Sequence, residues 1–86
     1  MKIILYTKPG CHLCEEALDF LRDLGKTTDL RIESRNIMES EEWFDAYRHR
    51  IPVVELPDGK QFCGVRERDE LKRAIRSQES PAQEEL

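Results

Sequence analysis

Ile3-Ile4-Leu5-Tyr6 opens the chain as an unbroken apolar run between Lys2 and Thr7-Lys8. A run without alternation suits a central strand covered on both faces. Lys8-Pro9-Gly10 breaks it, and from Cys11 the period changes. Leu13, Ala17, Phe20, Leu21 and Leu24 recur at helical spacing, with Glu15, Glu16, Asp19, Arg22 and Asp23 between them. This predicts a helix over 11–24 whose buried side is the apolar stripe, with Gly25 as its C-terminal cap. Leu30 and Ile32 then alternate with Arg31, Glu33 and Arg35, a half-polar pattern that predicts an edge strand over 30–37. Ser40 is a good N-cap for a second helix, with Glu41 and Glu42 in its first turn and Arg48-His49-Arg50 at its end, both matched to the dipole. Trp43, Phe44 and Tyr47 supply its apolar contacts.

Pro52-Val53-Val54-Glu55-Leu56 reads as a third strand, Pro57-Asp58-Gly59 as a tight turn, and residues 60–63 as an antiparallel fourth strand. Gly64 ends it, and a last helix over 66–77 turns Leu71, Ala74 and Ile75 inward. The order is βαβαββα, an α/β domain over 1–77 in which the βαβ half implies two parallel strands with a right-handed crossover. Residues 78–86 carry too little apolar surface to order themselves and are expected to form a disordered acidic tail.

Composition narrows the picture. The 86 residues allow one modest core, and no stretch is apolar enough for a transmembrane helix. The apolar segment at the N-terminus is too short for a signal peptide, so a cytoplasmic protein is expected. Glu79, Glu84 and Glu85 hold three of the 18 acidic side chains against 14 basic ones, so the rest of the chain is nearly neutral. No basic stripe suggests nucleic acid or an anionic membrane as partner.

Cys11-His12-Leu13-Cys14 carries the chemistry. At the start of a helix this spacing puts both sulfurs on one face within bridging reach. Free N–H groups and the helix dipole stabilise a thiolate there. In a reducing cytosol such a pair is catalytic or metal-binding rather than a staple. Cys11, at the helix start, is the candidate nucleophile, and Cys14, one turn in, the resolving thiol. A protonated His12 would stabilise the Cys11 thiolate; the alternative is an exposed side chain of little effect. Cys63 reads as a buried apolar cysteine, with a secondary redox thiol or a glutathionylation site as the alternative.

With these elements placed, the chain resembles the thioredoxin superfamily and looks most like its short glutaredoxin-like members. Three marks carry the resemblance: Lys8-Pro9-Gly10-Cys11-His12-Leu13-Cys14 between strand and helix, Ile51-Pro52-Val53-Val54 opening the third strand, and the hairpin ending in Gly64 before a final helix. The resemblance implies a three-layer α/β/α fold with a four-stranded mixed sheet in the order 4-3-1-2. It implies a cis Pro52 that leaves the backbone of Ile51 free for an extended substrate, and a substrate set against Lys8, His12, Leu13, Ile51, Pro52 and Gly64. Departures are clear. His12-Leu13 replaces the usual Pro and aromatic residue, Arg50-Ile51 replaces Thr-Val, and Cys63-Gly64 replaces Gly-Gly followed by acidic residues that hold glutathione.

The function implied is a monomeric thiol–disulfide oxidoreductase acting on a disulfide-containing protein or a glutathione mixed disulfide. It requires no metal or organic cofactor, and glutathione is a candidate reductant. The alternatives are an iron–sulfur or metal-binding protein, which would need ligands beyond these two cysteines, and a non-catalytic interaction module.

Overall fold

In the computed structural model, which describes residues 1–79, the first strand, β1 (Lys2–Thr7), lies inside a four-stranded sheet. It is followed by α1 (His12–Leu24), β2 (Arg31–Asn36), a 3-10 turn (Ile37–Glu39), α2 (Glu41–Tyr47), β3 (Val53–Glu55), β4 (Gln61–Cys63) and α3 (Arg68–Glu79). The sheet order is β2-β1-β3-β4, with β1 parallel to β2 and antiparallel to β3, and β3 antiparallel to β4. This is the mixed sheet and the order that the resemblance implies. The apolar run of β1 lies inside the sheet and the half-polar β2 at an edge, as their patterns predict.

Boundaries differ where local hydrogen bonds compete. Ile37 does not end β2; the Asn36 carboxamide accepts the Met38 N–H at 2.9 Å and starts a 3-10 turn instead. Ser40 caps α2 as expected, its hydroxyl accepting the Trp43 N–H at 3.2 Å. The last helix begins at Arg68 rather than Arg66, because residues 64–67 form a turn closed by Cys63 and Glu67. It continues to Glu79, two residues beyond Ser77. Residues 80–86 of the expected tail lie outside the described residues. Among the described residues no helix is long and apolar enough to cross a membrane.

The two faces of the sheet are covered differently. On one, Ile3 and Leu5 of β1 join Val54 and Leu56, and Ala17, Leu21 and Leu24 of α1 meet Leu71 and Ile75 of α3 in one aliphatic core. On the other, Tyr6, Ile37 and Val53 pack against Trp43, Phe44 and Tyr47 of α2, which are only half-buried. Tyr6 stacks on Tyr47 with ring centroids 4.2 Å apart and meets Trp43 edge-on at 6.0 Å. Arg35 donates to the Tyr6 hydroxyl at 3.2 Å and pairs with Glu33, which Lys2 also reaches at 3.0 Å. Burial pushes the Tyr6 phenol above its usual range, and Tyr47 and Glu55 add to the rise. The hydrogen bond from Arg35 holds the Glu33 carboxyl below its usual range, with Lys2 adding to it.

Candidate functional site

The loop after β1 turns through Gly10, whose φ of +73° is one that L side chains rarely adopt, and delivers Cys11 to the start of α1. The helix starts at His12, and Cys11 is its N-cap in extended backbone. The Cys11 Sγ accepts the Cys14 N–H at 3.2 Å, and the Cys11 carbonyl accepts the Glu15 N–H at 3.1 Å. The sulfur therefore occupies the place that a capping oxygen usually holds, in the field of the helix N-terminus. Cys11 and Cys14 are joined as a disulfide, with Cα atoms 5.2 Å apart. Cys11 is half-buried, whereas Cys14 is 3% exposed and belongs to the core side of the helix.

The neighbouring residues Lys8, His12 and Leu13 are all exposed. His12 is exposed, and its Nε2 lies 3.2 Å from Glu16 Oε2, so its placed partner is a carboxylate one turn on. Lys8 is exposed on the loop. Leu13 is 49% exposed, which corrects its expected place on the buried stripe. It stands in the first turn of α1, and the core contacts of the helix begin at Cys14 and Ala17.

The Ile51–Pro52 bond is cis, as the resemblance implies. The backbone of Ile51 is not wholly free, however. Its N–H donates to the Tyr47 carbonyl at 3.0 Å, carrying the bonding of α2 one step past the helix. Pro52 is buried, and its carbonyl accepts the Gly64 N–H at 3.1 Å. Gly64 is buried too. A Cβ there would stand 3.0 Å from Ala17 Cβ and 3.3 Å from Val54 Cγ2, with Pro52 Cγ at 3.8 Å. A side chain at this position would have to push Ala17 and Val54 back by a few tenths of an ångström, so glycine lets the end of β4 lie close against α1. Gly64 thus packs the site from below and does not stand among the residues bordering the cleft.

That cleft, of about 540 Å³, is bordered by Leu13, Ile51, Pro52 and Val53 together with residues from both ends of the hairpin. Cys63 borders it as well, and is half-buried rather than buried. The ladder explains this: Cys63 pairs with Val53, so both point to the face that α2 covers only in part. The Cys63 N–H donates to Glu67 Oε1 at 2.7 Å, and the Glu67 N–H returns to the Cys63 carbonyl at 2.9 Å. Arg50 and Arg66 also border the cleft. Helical spacing reads Arg50 only as a helix-end cation. The available signal was position, since one arginine directly precedes Ile51-Pro52 and the other follows Gly64-Val65. Among the described residues no three His, Cys, Asp or Glu side chains gather as a metal-binding group.

Comparison with known proteins agrees with this geometry. A family model described as "Glutaredoxin-like domain (DUF836)" matches residues 2–76. N-acetyl-S-hydroxy-L-cysteine reductase of Bacillus subtilis (strain 168) is 30% identical over 73 residues, covering 78% of this chain and 73% of that protein. The solution structure of protein Ne2328 from Nitrosomonas europaea superposes with a TM-score of 0.75 at 32% identity, over 86% of this chain and 89% of that one. A thioredoxin variant from Halobacterium salinarum NRC-1 shares the fold, with a TM-score of 0.66 at 22% identity over 88% of this chain and 72% of that one.

Proposed function

The chain belongs to the glutaredoxin-like domain family, and from that membership we propose that it is a thiol–disulfide oxidoreductase in which Cys11 attacks and Cys14 resolves. The observation that carries the division of roles is the contrast between the two sulfurs. Cys11 caps the helix from a half-buried position, and Cys14 is enclosed one turn in. A thiolate at the capping position gains from the Cys14 N–H and the helix dipole, and it is the sulfur a substrate can reach.

In the reductive cycle the Cys11 thiolate attacks one sulfur of a substrate disulfide and releases the other as a thiol. The Cys14 thiolate then attacks the Cys11 sulfur of the mixed disulfide, releasing the second thiol and closing the Cys11–Cys14 bond. Two electrons and two protons pass from the dithiol to the substrate. A sulfenic acid, the group carried by the substrate named for the Bacillus relative, enters the same cycle with water as the first leaving group. No metal or organic cofactor takes part in these steps. The disulfide returns to the dithiol by exchange with an external thiol, for which glutathione is the proposed donor.

The test is a redox titration in glutathione buffers with thiol trapping and mass spectrometry, on a Cys63→Ser background so that one pair is read. One intramolecular disulfide is expected over a defined range of poise. Cys14→Ser should accumulate a mixed disulfide with one glutathione, and Cys11→Ser should accumulate neither species at Cys14. If no disulfide forms at any poise, the oxidoreductase reading fails. If the two serine variants exchange behaviour, the assignment of roles is reversed.

A further inference from the structure

The cleft meets the Cys11–Cys14 segment at Leu13, with Lys8, His12 and both sulfurs outside the residues that border it, and it has a charge pattern that disulfide exchange by itself does not require. Arg50 comes from the segment before β3 and Arg66 from the turn after β4, and the pairing of these strands brings both to one cavity. Both are exposed, and among the described residues neither takes part in an ion pair. Arg50 lies over the Tyr47 ring, 5.7 Å from its centroid, which steadies the side chain without neutralising it. Glu67 is the acidic side chain that borders the cleft, and its carboxylate already accepts the Cys63 N–H. That bond, with the return bond from the Glu67 N–H, fixes the turn that carries Arg66.

We propose that Arg50 and Arg66 select low-molecular-weight thiol derivatives that bear a carboxylate and lack a free amine. The proposal rests on the oxidoreductase reading above and names its substrate class. A guanidinium offers paired donors that match a carboxylate, and among the described residues these two have no anion of their own. The cavity, about 540 Å³, has the size of a small-molecule site, and Leu13, Ile51 and Val65 give it apolar surface for an acyl or alkyl group. A free ammonium in the same cleft would meet two guanidinium cations against the one carboxylate of Glu67. The charges act on encounter and orientation, so selection should appear in the second-order rate and weaken with salt.

The experiment uses the reduced full-length protein in single turnover with three probes. N,N′-diacetylcystine carries carboxylates and no ammonium, cystine carries both, and cystine dimethyl ester carries ammonium groups alone. Each turnover takes two electrons and two protons from the dithiol, leaving the Cys11–Cys14 disulfide and two thiols. Each rate is divided by the rate of the same probe with dithiothreitol, which removes intrinsic reactivity. The expected order is diacetylcystine, then cystine, then the ester. Arg50→Gln and Arg66→Gln should each slow diacetylcystine by roughly two- to fivefold and speed the ester, the size expected for one exposed charge contact. A flat or inverted order, cystine matching diacetylcystine, or variants that slow all three probes alike would overturn the selectivity while leaving the redox reading intact. If none of the probes oxidises the pair, the redox reading itself fails and takes the proposal with it.

Discussion

The two faces of the sheet differ in what covers them. The face under α1 and α3 is aliphatic and closed, with Ile3, Leu21, Leu71 and Ile75 fully buried. The face under α2 is aromatic and charged, and no residue of α2 is fully buried. Length is part of the reason. A helix of 13 residues such as α1 spans about 20 Å, and the seven residues of α2 only about 10 Å. The short helix leaves one end of its face open, where Val53 and Cys63 meet the cleft. One face stores stability, and the other gives it up for a site.

The strongest way to break this comparison is to compare losses on the two faces. Leu21→Ala removes a fully buried side chain from the closed face and should cost about 2–5 kcal/mol in urea unfolding. Trp43→Ala, on the half-buried face, should cost roughly 1–2 kcal/mol despite removing a larger group, since much of the indole already meets water. Equal losses would mean that α2 carries as much of the fold as α1 does. The smallest effect belongs to the charged edge. Glu33 has its carboxyl lowered in the folded state by Arg35 and Lys2, so its contribution is present above the unfolded carboxylate range and lost as pH falls through the folded one. Glu33→Gln should therefore lower the Tm slightly at neutral pH, with the difference from the parent closing in acid. A difference that persists in acid would assign the effect to shape rather than charge.

Much of this architecture is legible in the chain because period and punctuation agree. The unbroken run of β1, the Ser40 cap and the Pro57-Asp58-Gly59 turn each answer to local physics, and each stands where its pattern places it. The turn closes through the Leu56 N–H to the Lys60 carbonyl at 2.9 Å and the Lys60 N–H to Asp58 Oδ1 at 3.0 Å. The dithiol was legible for the same reason. What period misses is set by the limits of the layers. Leu13 satisfies the helical spacing of α1 but stands in its exposed first turn. Cys63 looks like a buried thiol until its pairing with Val53 turns it toward the less covered face. Arg50 reads as an end-of-helix charge, because sequence spacing does not say that β3 and β4 carry it to the same cavity as Arg66.

One bond at the start of α1 has a consequence for observation rather than for chemistry. The Cys14 N–H points at the Cys11 sulfur, so every chemical state of that sulfur is felt by one backbone proton. Disulfide, thiol, thiolate and adduct differ in how well they accept it, and its resonance will differ among them. The amide of the buried cysteine is thus a native gauge of the half-buried one, readable in water without a substrate.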